Sequence, residues 1–517
     1  MIRFYSLVSL IFFASIYVNA QTQTATLDAN NTRIKVLNGG DFFWDHSAAN
    51  YEVPKVKDQH QVSKSTIFTG AIWIGGYDDS GKLHLAAMTY RQRGKDFATG
   101  PVSNNTDSTS KQFDHIYVVS ASDIQAHLVD PTQSTSDILN WPGNGDTTLG
   151  QPWQLAPFMD INSNGIYEPI AGDYPKIKGD IAAYCIYNDF KIHTETGGTP
   201  LNIDVHQMFY QEKEGTGFSL FEEVNLAYFK IVNRSDNNYR DLRFGIFTDF
   251  DIGSFVDDFV ACDTVQRMGY AFNGDDFDEG VHGYGENPPA QSVVFLNSPL
   301  GAVSYWNNNA NPINGNPTQA IHFYNLLSGL WNTGHSRDHI IGQDTFDGRF
   351  MFCGDPVTGL GWTETNNLNL PADRRLLTAA EPTSLKAGES LCFDIAFVYG
   401  RTKFGGALGS ISVMKSIAAQ VQQAYNLDYE GWQSFGCAAG NQMLSIPRIP
   451  ESELEAIYPN PTAGLVHFSL PVNGRLFNAT GVAVMHIEEV RSIDLSEMAS
   501  GIYYLRTEKG SFRIVKL

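Results

Sequence analysis

Apolar and polar residues alternate with a period of two along most of this chain, and that period predicts β-strands. Ile72-Trp73-Ile74-Gly75-Gly76-Tyr77 and Leu83-His84-Leu85-Ala86-Ala87-Met88 flank Asp78-Asp79-Ser80-Gly81, a turn composition that predicts a hairpin. Leu226 and Tyr228, then Leu242, Phe244 and Ile246, hold period-2 positions on either side of the polar turn Asn233 to Asn238. Phe393, Ile395, Phe397 and Tyr399 alternate with Asp394, Ala396 and Val398. One segment follows a helical period instead: Ile411, Met414, Ile417, Val421 and Tyr425, with Ser410 as the expected N-cap and an end before Asp428. Its apolar stripe reads as a seam against the core. The expected fold is mainly β, a large β-sandwich-type body over 21–445 with one amphipathic helix near its C-terminal end and room for two subdomains. No repeat of solenoid or propeller period is visible.

Both ends differ in texture from the body. Residues 1–20, MIRFYSLVSLIFFASIYVNA, place Arg3 before an apolar run that closes on Val18-Asn19-Ala20. That pattern predicts a secretory signal peptide cut between Ala20 and Gln21, because the run falls short of the about 20 residues a membrane span needs. No later segment is long and apolar enough to span a bilayer. Residues 446–453 form a Pro-punctuated acidic linker, and 454–517 a compact block. In that block, Leu465 to Leu470, Val482 to Val484, Ile502 to Arg506 and Phe512 to Val515 alternate as strands between turns, which predicts a small Ig-like β-sandwich.

The block opens with Tyr458-Pro459-Asn460-Pro461-Thr462-Ala463-Gly464. Gly481, Asp494-Leu495-Ser496, Gly501, Tyr503 and Lys516 follow in order. These motifs resemble the type A C-terminal sorting domain of the type IX secretion system. The resemblance implies a partner, the type IX secretion machinery, and a product that is secreted or held on the outer cell surface after the sorting domain is removed. The stretch Asn473 to Glu489 is short for that family, as if a strand pair were missing. Several stretches of the body also resemble the central region of other large exported proteins that carry this domain. These are Phe68 to Gly76, Asp160 to Asp180, Asp249 to Asp263, and Gly354 to Trp362 with Asp373-Arg374-Arg375 after it. That resemblance implies no chemistry.

Composition narrows the field of partners. The 517 residues carry 35 Lys+Arg against 56 Asp+Glu, a net charge of −21, which disfavours nucleic acid and anionic membrane as ligands. The same balance leaves room for bound cations. Hydrophobic residues at 42% and aromatics at 12% suit a globular chain whose exposed rings could stack on sugars. The cysteines, Cys185, Cys262, Cys353, Cys392 and Cys437, are odd in number, so at least one thiol is left over from one or two bridges. None stands at C-x-x-C spacing.

No nucleophile elbow, phosphate loop or H-E-x-x-H motif occurs. His335 and His339 have metal-ligand spacing only if helical, and Gly334 and Gly342 bracket them, so a surface turn is expected. Asp355 and Asp373-Arg374-Arg375 read as a salt-bridged loop lock. Asp160-Ile161-Asn162-Ser163-Asn164-Gly165-Ile166-Tyr167-Glu168 fits a nine-residue calcium loop. Asp160, Asn162, Asn164 and Glu168 would ligate by side chain and Ile166 by carbonyl, with Asp173 able to complete the shell. Asp249, Asp251, Asp257, Asp258 and Asp263 form a second acidic patch, either a solvated rim or a further cation site. The favoured reading is an exported, calcium-stabilised, non-enzymatic module that binds an extracellular glycan or protein, or adheres. The rival is a secreted glycan-active hydrolase using paired carboxylates.

Overall fold

A computed structural model describes residues 23–516 apart from 57–59, 105, 214–218, 342–343, 428–430, 432–434, 436, 438–456, 459–461, 479–482 and 508–509. The leader 1–20, the linker 446–453, Gly481 and the Pro459-Asn460-Pro461 part of the sorting motif lie outside those residues. Two compact units divide between Asn441 and Gln442.

The larger unit is mainly β and is built on two antiparallel sheets. The nine-stranded sheet runs in the order Asp258–Asp263, Met268–Asn273, Ala290–Phe295, Ser390–Gly400, Val224–Asn233, Ile203–Gln211, Ile181–Asn188 and Ala98–Thr99, with Tyr117–Ser120 also paired to Ile181–Asn188. The seven-stranded sheet runs Leu300–Asn307, Arg374–Ala380, Tyr239–Phe250, Ile67–Tyr77 and Asp41–Phe42. Leu83–Ala87 pairs with Ile67–Tyr77, and Thr383–Leu385 with Tyr239–Phe250. The predicted hairpin forms, with Tyr77 opposite Leu83.

The polar turn at 233–238 joins Val224–Asn233 to Tyr239–Phe250, which belong to different sheets. That crossing faces Phe229 towards Phe244 across the sandwich at 5.6 Å, and Phe244 stacks on Phe393 at 4.2 Å. Alternation then sorts each strand between two cores. In Ser390–Gly400, Phe393, Ile395, Phe397 and Tyr399 enter the core between the sheets, while Ala396 and Val398 enter a second core on the far side. Both faces of that strand are therefore buried.

Helix Gly406–Asn426 closes the second core with Ile411, Met414, Ala418, Val421 and Tyr425. The seam is as expected, but the helix begins a turn before Ser410, which is buried inside it and accepts the Thr402 N–H at 3.1 Å. The true start is capped from elsewhere in the chain. Asp276 Oδ1 accepts the Ala407 N–H at 3.1 Å and Asn287 Oδ1 accepts the Gly406 N–H at 2.9 Å. The four other α-helices described, Thr106–Gln112, Ala121–Val129, Ser136–Leu139 and Ala320–Leu327, are four to nine residues long, too short to show a period.

Two disulfides, Cys262–Cys353 and Cys392–Cys437, leave Cys185 as a buried free thiol, which burial pushes up from its ordinary pKa. The smaller unit is a five-stranded sheet of Ile457–Tyr458, Leu465–Asn478, Gly501–Thr507 and Gly510–Lys516, with Ala483–Asp494 alongside Leu465–Asn478. The stretch Asn473 to Glu489 holds the paired ends of this unit's two longest strands, with Gly474 opposite Ile487.

Candidate functional site

The seven-stranded sheet places one row of residues across four strands. Trp306 stands opposite Arg375, Arg375 opposite Asp249, and Asp249 opposite Thr69. Trp306, Arg375 and Asp249 lie on the face turned away from the sandwich core, as does Phe247 two residues before Asp249. Helix Ala320–Leu327 covers part of this face by laying Leu327 over Gly245 and Phe323 against Trp73. The uncovered part is a cleft of roughly 380 Å³. Phe247 and Trp306 form its floor, Tyr90 and Phe68 its wall, and Phe255, 52% exposed, its rim.

Three carboxylates meet in this cleft. Asp249, Asp251 and Asp373 each bring an oxygen within 4.8 Å of the others, a spacing that could hold a metal ion. One cation already faces them: Arg375 Nη1 lies 2.6 Å from Asp249 and also pairs closely with Asp373. Tyr90 donates its hydroxyl to Asp249 at 2.8 Å. Burial, reinforced by Asp251, holds the Asp249 carboxyl well above the usual range against the pull of Arg375. Burial likewise pushes Asp251 up to about 7, opposed by Arg375 and reinforced by Asp373. The Tyr90 phenol is raised by burial and by the Asp249 charge. The pair thus holds protons at pH values where free aspartates have none, and Asp373 sits beside it on the exposed side with Asn308 donating to it at 3.1 Å.

The acidic patch read from the sequence divides. Asp249 and Asp251 enter the cleft, whereas Asp258 accepts the Ile252 N–H at 3.0 Å in the interior and Asp263 pairs with Lys415 at 3.0 Å. Asp257 lies apart, pushed up to about 6 by burial and by Asp278 and Glu279. Asp373 came to the site from a segment read as a loop lock. Its neighbour Arg374 does form such a lock, with Glu364 at 2.9 Å, while Asp355 only caps its own turn through the Val357 N–H and the Thr358 hydroxyl. Tyr90, Trp306, Phe247 and Phe255 carried no local signal that separates a cleft aromatic from a core one. His335 bonds Thr333 on a loop, and His339 lies in strand His339–Ile341, stacked on Trp362, so the two do not share a helical face.

The 160–168 loop curls around Asp160. One Asp160 oxygen accepts the Asn164 N–H at 3.2 Å and the other the Gly165 N–H at 2.7 Å. Gly165 takes φ +76° at the sixth position. Asn162 Oδ1 accepts the Asn164 N–H and Asn164 Oδ1 the Ile166 N–H, while both amides donate to Glu168. Asp173 is fully buried behind the loop and accepts the N–H groups of Ile161 and Glu168, both at 2.9 Å.

In the smaller unit the motif residues converge. Thr462 donates its N–H to Val515 at 2.8 Å and stands beside Lys516 in a parallel bridge. Leu495 donates its N–H to Gly464 at 2.9 Å, and a Cβ on Gly464 would collide with Ser496 Oγ. Asp494 caps the following turn through the Ser496 N–H, and Tyr503 donates its hydroxyl to Ala499. Gly501, at φ +155°, opens the strand that carries Tyr503. Residues 456–517 match the family model of the secretion system C-terminal sorting domain. The protein is secreted or displayed on the cell surface. The sorting domain implies interaction with the type IX secretion machinery, and no helix among the described residues is long and apolar enough to cross a membrane.

No curated protein matches the chain. Among solved structures, a polysaccharide lyase is similar at 8% identity and a TM-score of 0.21, covering 84% of this chain and 44% of that one. The chain therefore spans less than half the length of that lyase. A putative aldose 1-epimerase from Escherichia coli K12 is similar at 9% identity and a TM-score of 0.21, covering 74% of this chain and 99% of that one. Scores of this size fall short of a shared fold, and neither protein informs the reading of the site.

Proposed function

We propose that the body of this exported protein binds an extracellular glycan in the cleft on the outer face of the seven-stranded sheet. The observation that carries this reading is the meeting of an aromatic wall and rim, Phe68, Tyr90 and Phe255, above the buried Trp306 and Phe247, with the converging carboxylates of Asp249, Asp251 and Asp373. A sugar ring offers C–H faces that pack on aromatic rings and hydroxyl donors that carboxylates accept. The cleft volume falls within the about 300–1,000 Å³ of small-ligand sites.

A second reading, a glycan hydrolase, is favoured by the close carboxylates themselves. Asp251, protonated to about pH 7, suits a general acid, and Asp373 offers a second carboxyl group with an oxygen within 4.8 Å of it, as a two-carboxyl glycosidase needs. A glycan array on the secreted protein, followed by hydrolysis assays on each hit, separates the two. Binding that Phe255→Ala and Asp251→Asn both weaken supports the first reading. Turnover abolished by Asp251→Asn moves the protein to the second. Binding untouched by both substitutions removes the cleft from consideration.

The loop at 160–168 is assigned a structural calcium ion on the liganding pattern and on the curl of the loop around Asp160. With two acids in the motif its affinity should be near the about 10⁻⁴–10⁻³ M of extracellular modules. The export route proposed is entry by the leader 1–20, then removal of the tail after about residue 450 in the course of sorting. Deleting 454–517 should trap the body in the periplasm, and undiminished surface display of that truncation would contradict it.

A further inference from the structure

The cleft has a neighbour of opposite character. Segments 89–97 and 191–196 lie side by side, joined by the Thr194 N–H to Lys95 and the Lys95 N–H to Thr194 Oγ1 at 2.9 Å. Gly94 permits this approach, since a Cβ there would collide with Thr194 Oγ1. Tyr90, Gln92, Arg93 and Glu195 line the acidic cleft, and the very next residues, Gly94, Lys95 and Thr194, line a second pocket of roughly 520 Å³. The two recesses therefore adjoin along one ridge.

Three of the chain's lysines, Lys95, Lys111 and Lys191, line the second pocket. They gather on a chain that carries a net charge of −21. The charges that face them are few. Asp96 is buried and already accepts the Glu195 and Thr196 N–H groups and the Thr196 hydroxyl. Lys191 makes an exposed pair with Asp107 at 2.8 Å, which an anion could replace. Asp114 lies on the pocket wall.

Three polar atoms on this wall, Asn38 Oδ1, Ser110 Oγ and Asp114 Oδ1, are buried without a hydrogen-bond partner. Asn38 is 1% exposed and is held in place by its amide, which donates to Phe113 at 3.1 Å. Buried orphans of this kind carry a desolvation cost that a ligand donor relieves. The pocket thus combines acceptors that call for hydroxyl donors with lysines that call for acid groups. Ile192, 86% exposed at the rim, offers an apolar contact for the face of a ring.

We propose that this pocket binds the acidic units of an anionic polysaccharide whose neighbouring units occupy the adjoining cleft. The inference rests on the glycan reading of the cleft and adds the substrate class: a polymer that carries both hydroxyls and carboxylate or sulfate groups. Lys95, Lys111 and Lys191 hold the acid groups, and Asn38, Ser110 and Asp114 take the sugar hydroxyls.

The test is calorimetric titration of the full secreted protein with three probes: an oligogalacturonate, the same oligomer with its carboxyls reduced to alcohols, and a sulfated dextran oligomer. At least one acidic probe should bind roughly ten-fold more tightly than the reduced oligomer, with affinity that falls as salt rises. Tighter binding of the uronate or of the sulfate then names the acid group. The triple variant Lys95→Gln/Lys111→Gln/Lys191→Gln, confined to exposed side chains, should erase that preference and leave binding of the reduced oligomer intact. If the wild type binds the reduced oligomer as well as both acidic ones, the inference is overturned and the cleft reading stands. If no probe binds and none is found on the array, both fall. A preference that survives the triple variant also overturns it, because the acid groups are then read elsewhere.

Discussion

The outer faces of the two sheets carry the same small device in opposite settings. On the nine-stranded sheet, Asp394 accepts Lys178 Nζ at 2.5 Å and the Tyr425 hydroxyl at 2.8 Å. On the seven-stranded sheet, Asp249 accepts Arg375 at 2.6 Å and the Tyr90 hydroxyl at 2.8 Å. The first trio is sealed: helix Gly406–Asn426 supplies Tyr425, and Lys178 stands over the Tyr228 ring at 4.6 Å. Its acid and its base balance. The second lines the cleft and gathers two further acids, Asp251 and Asp373, around Arg375, with Arg93 elsewhere on the cleft wall. A buried pair under a helix is part of the architecture, whereas the same pair with surplus carboxylates and an aromatic wall is the feature on which the proposed glycan site rests.

The largest test of this contrast is removal of each cation. Lys178→Met should destabilise the protein by about 3–5 kcal/mol, because Asp394 is left charged and sealed. Arg375→Met should cost less than half of that, since Asp249 and Asp251 take up protons and Asp373 is partly exposed to water. Urea unfolding measures both, and equal costs would erase the distinction. Next in size is the tyrosine pair. Tyr425→Phe removes a buried hydrogen bond to a charged group and should cost about 1.5–3 kcal/mol, against under about 1 kcal/mol for Tyr90→Phe, where water can stand in.

The protonation of the cleft gives a third test. The folded-state pKa of Asp251, about 7, lies above its ordinary 3.8. Its contribution to stability is therefore fully present below about pH 4 and is lost as pH rises through about 7. Asp251→Asn should flatten the melting temperature between pH 4 and 7 relative to wild type. An unchanged slope would place the proton on another group. The smallest effect concerns the calcium loop. Calcium at ten-fold excess over its dissociation constant should add about 1.4 kcal/mol in thermal unfolding, and Asp160→Ala should abolish the increment with little change in chelator. Identical melting with and without calcium would remove that ion.

Local pattern alone determined the strands, the hairpin at 78–81, the apolar seam of the long helix and the sorting motif. Each of these depends on residues close in sequence, through side-chain period, turn chemistry or a contiguous signature. It also singled out Asp249 and Asp251, but only as two members of a wider acidic patch. What it could not supply is whatever the fold brings from a distance. Asp276 and Asn287 cap the long helix across more than a hundred residues, so its start was misplaced at Ser410. Asp373 and Tyr90 reach Asp249 only because strands 67–77, 239–250 and 374–380 align in one sheet, and an aspartate in a loop looks the same whether or not such an alignment awaits it. The turn at 233–238 reads as a turn either way; that it crosses between sheets is decided by the packing of Phe229, Phe244 and Phe393. Partners are a property of the whole assembly: Asp258 meets the Ile252 N–H and Asp263 meets Lys415, whereas Asp249, no less buried, meets Asp251 and Asp373 as well as Arg375.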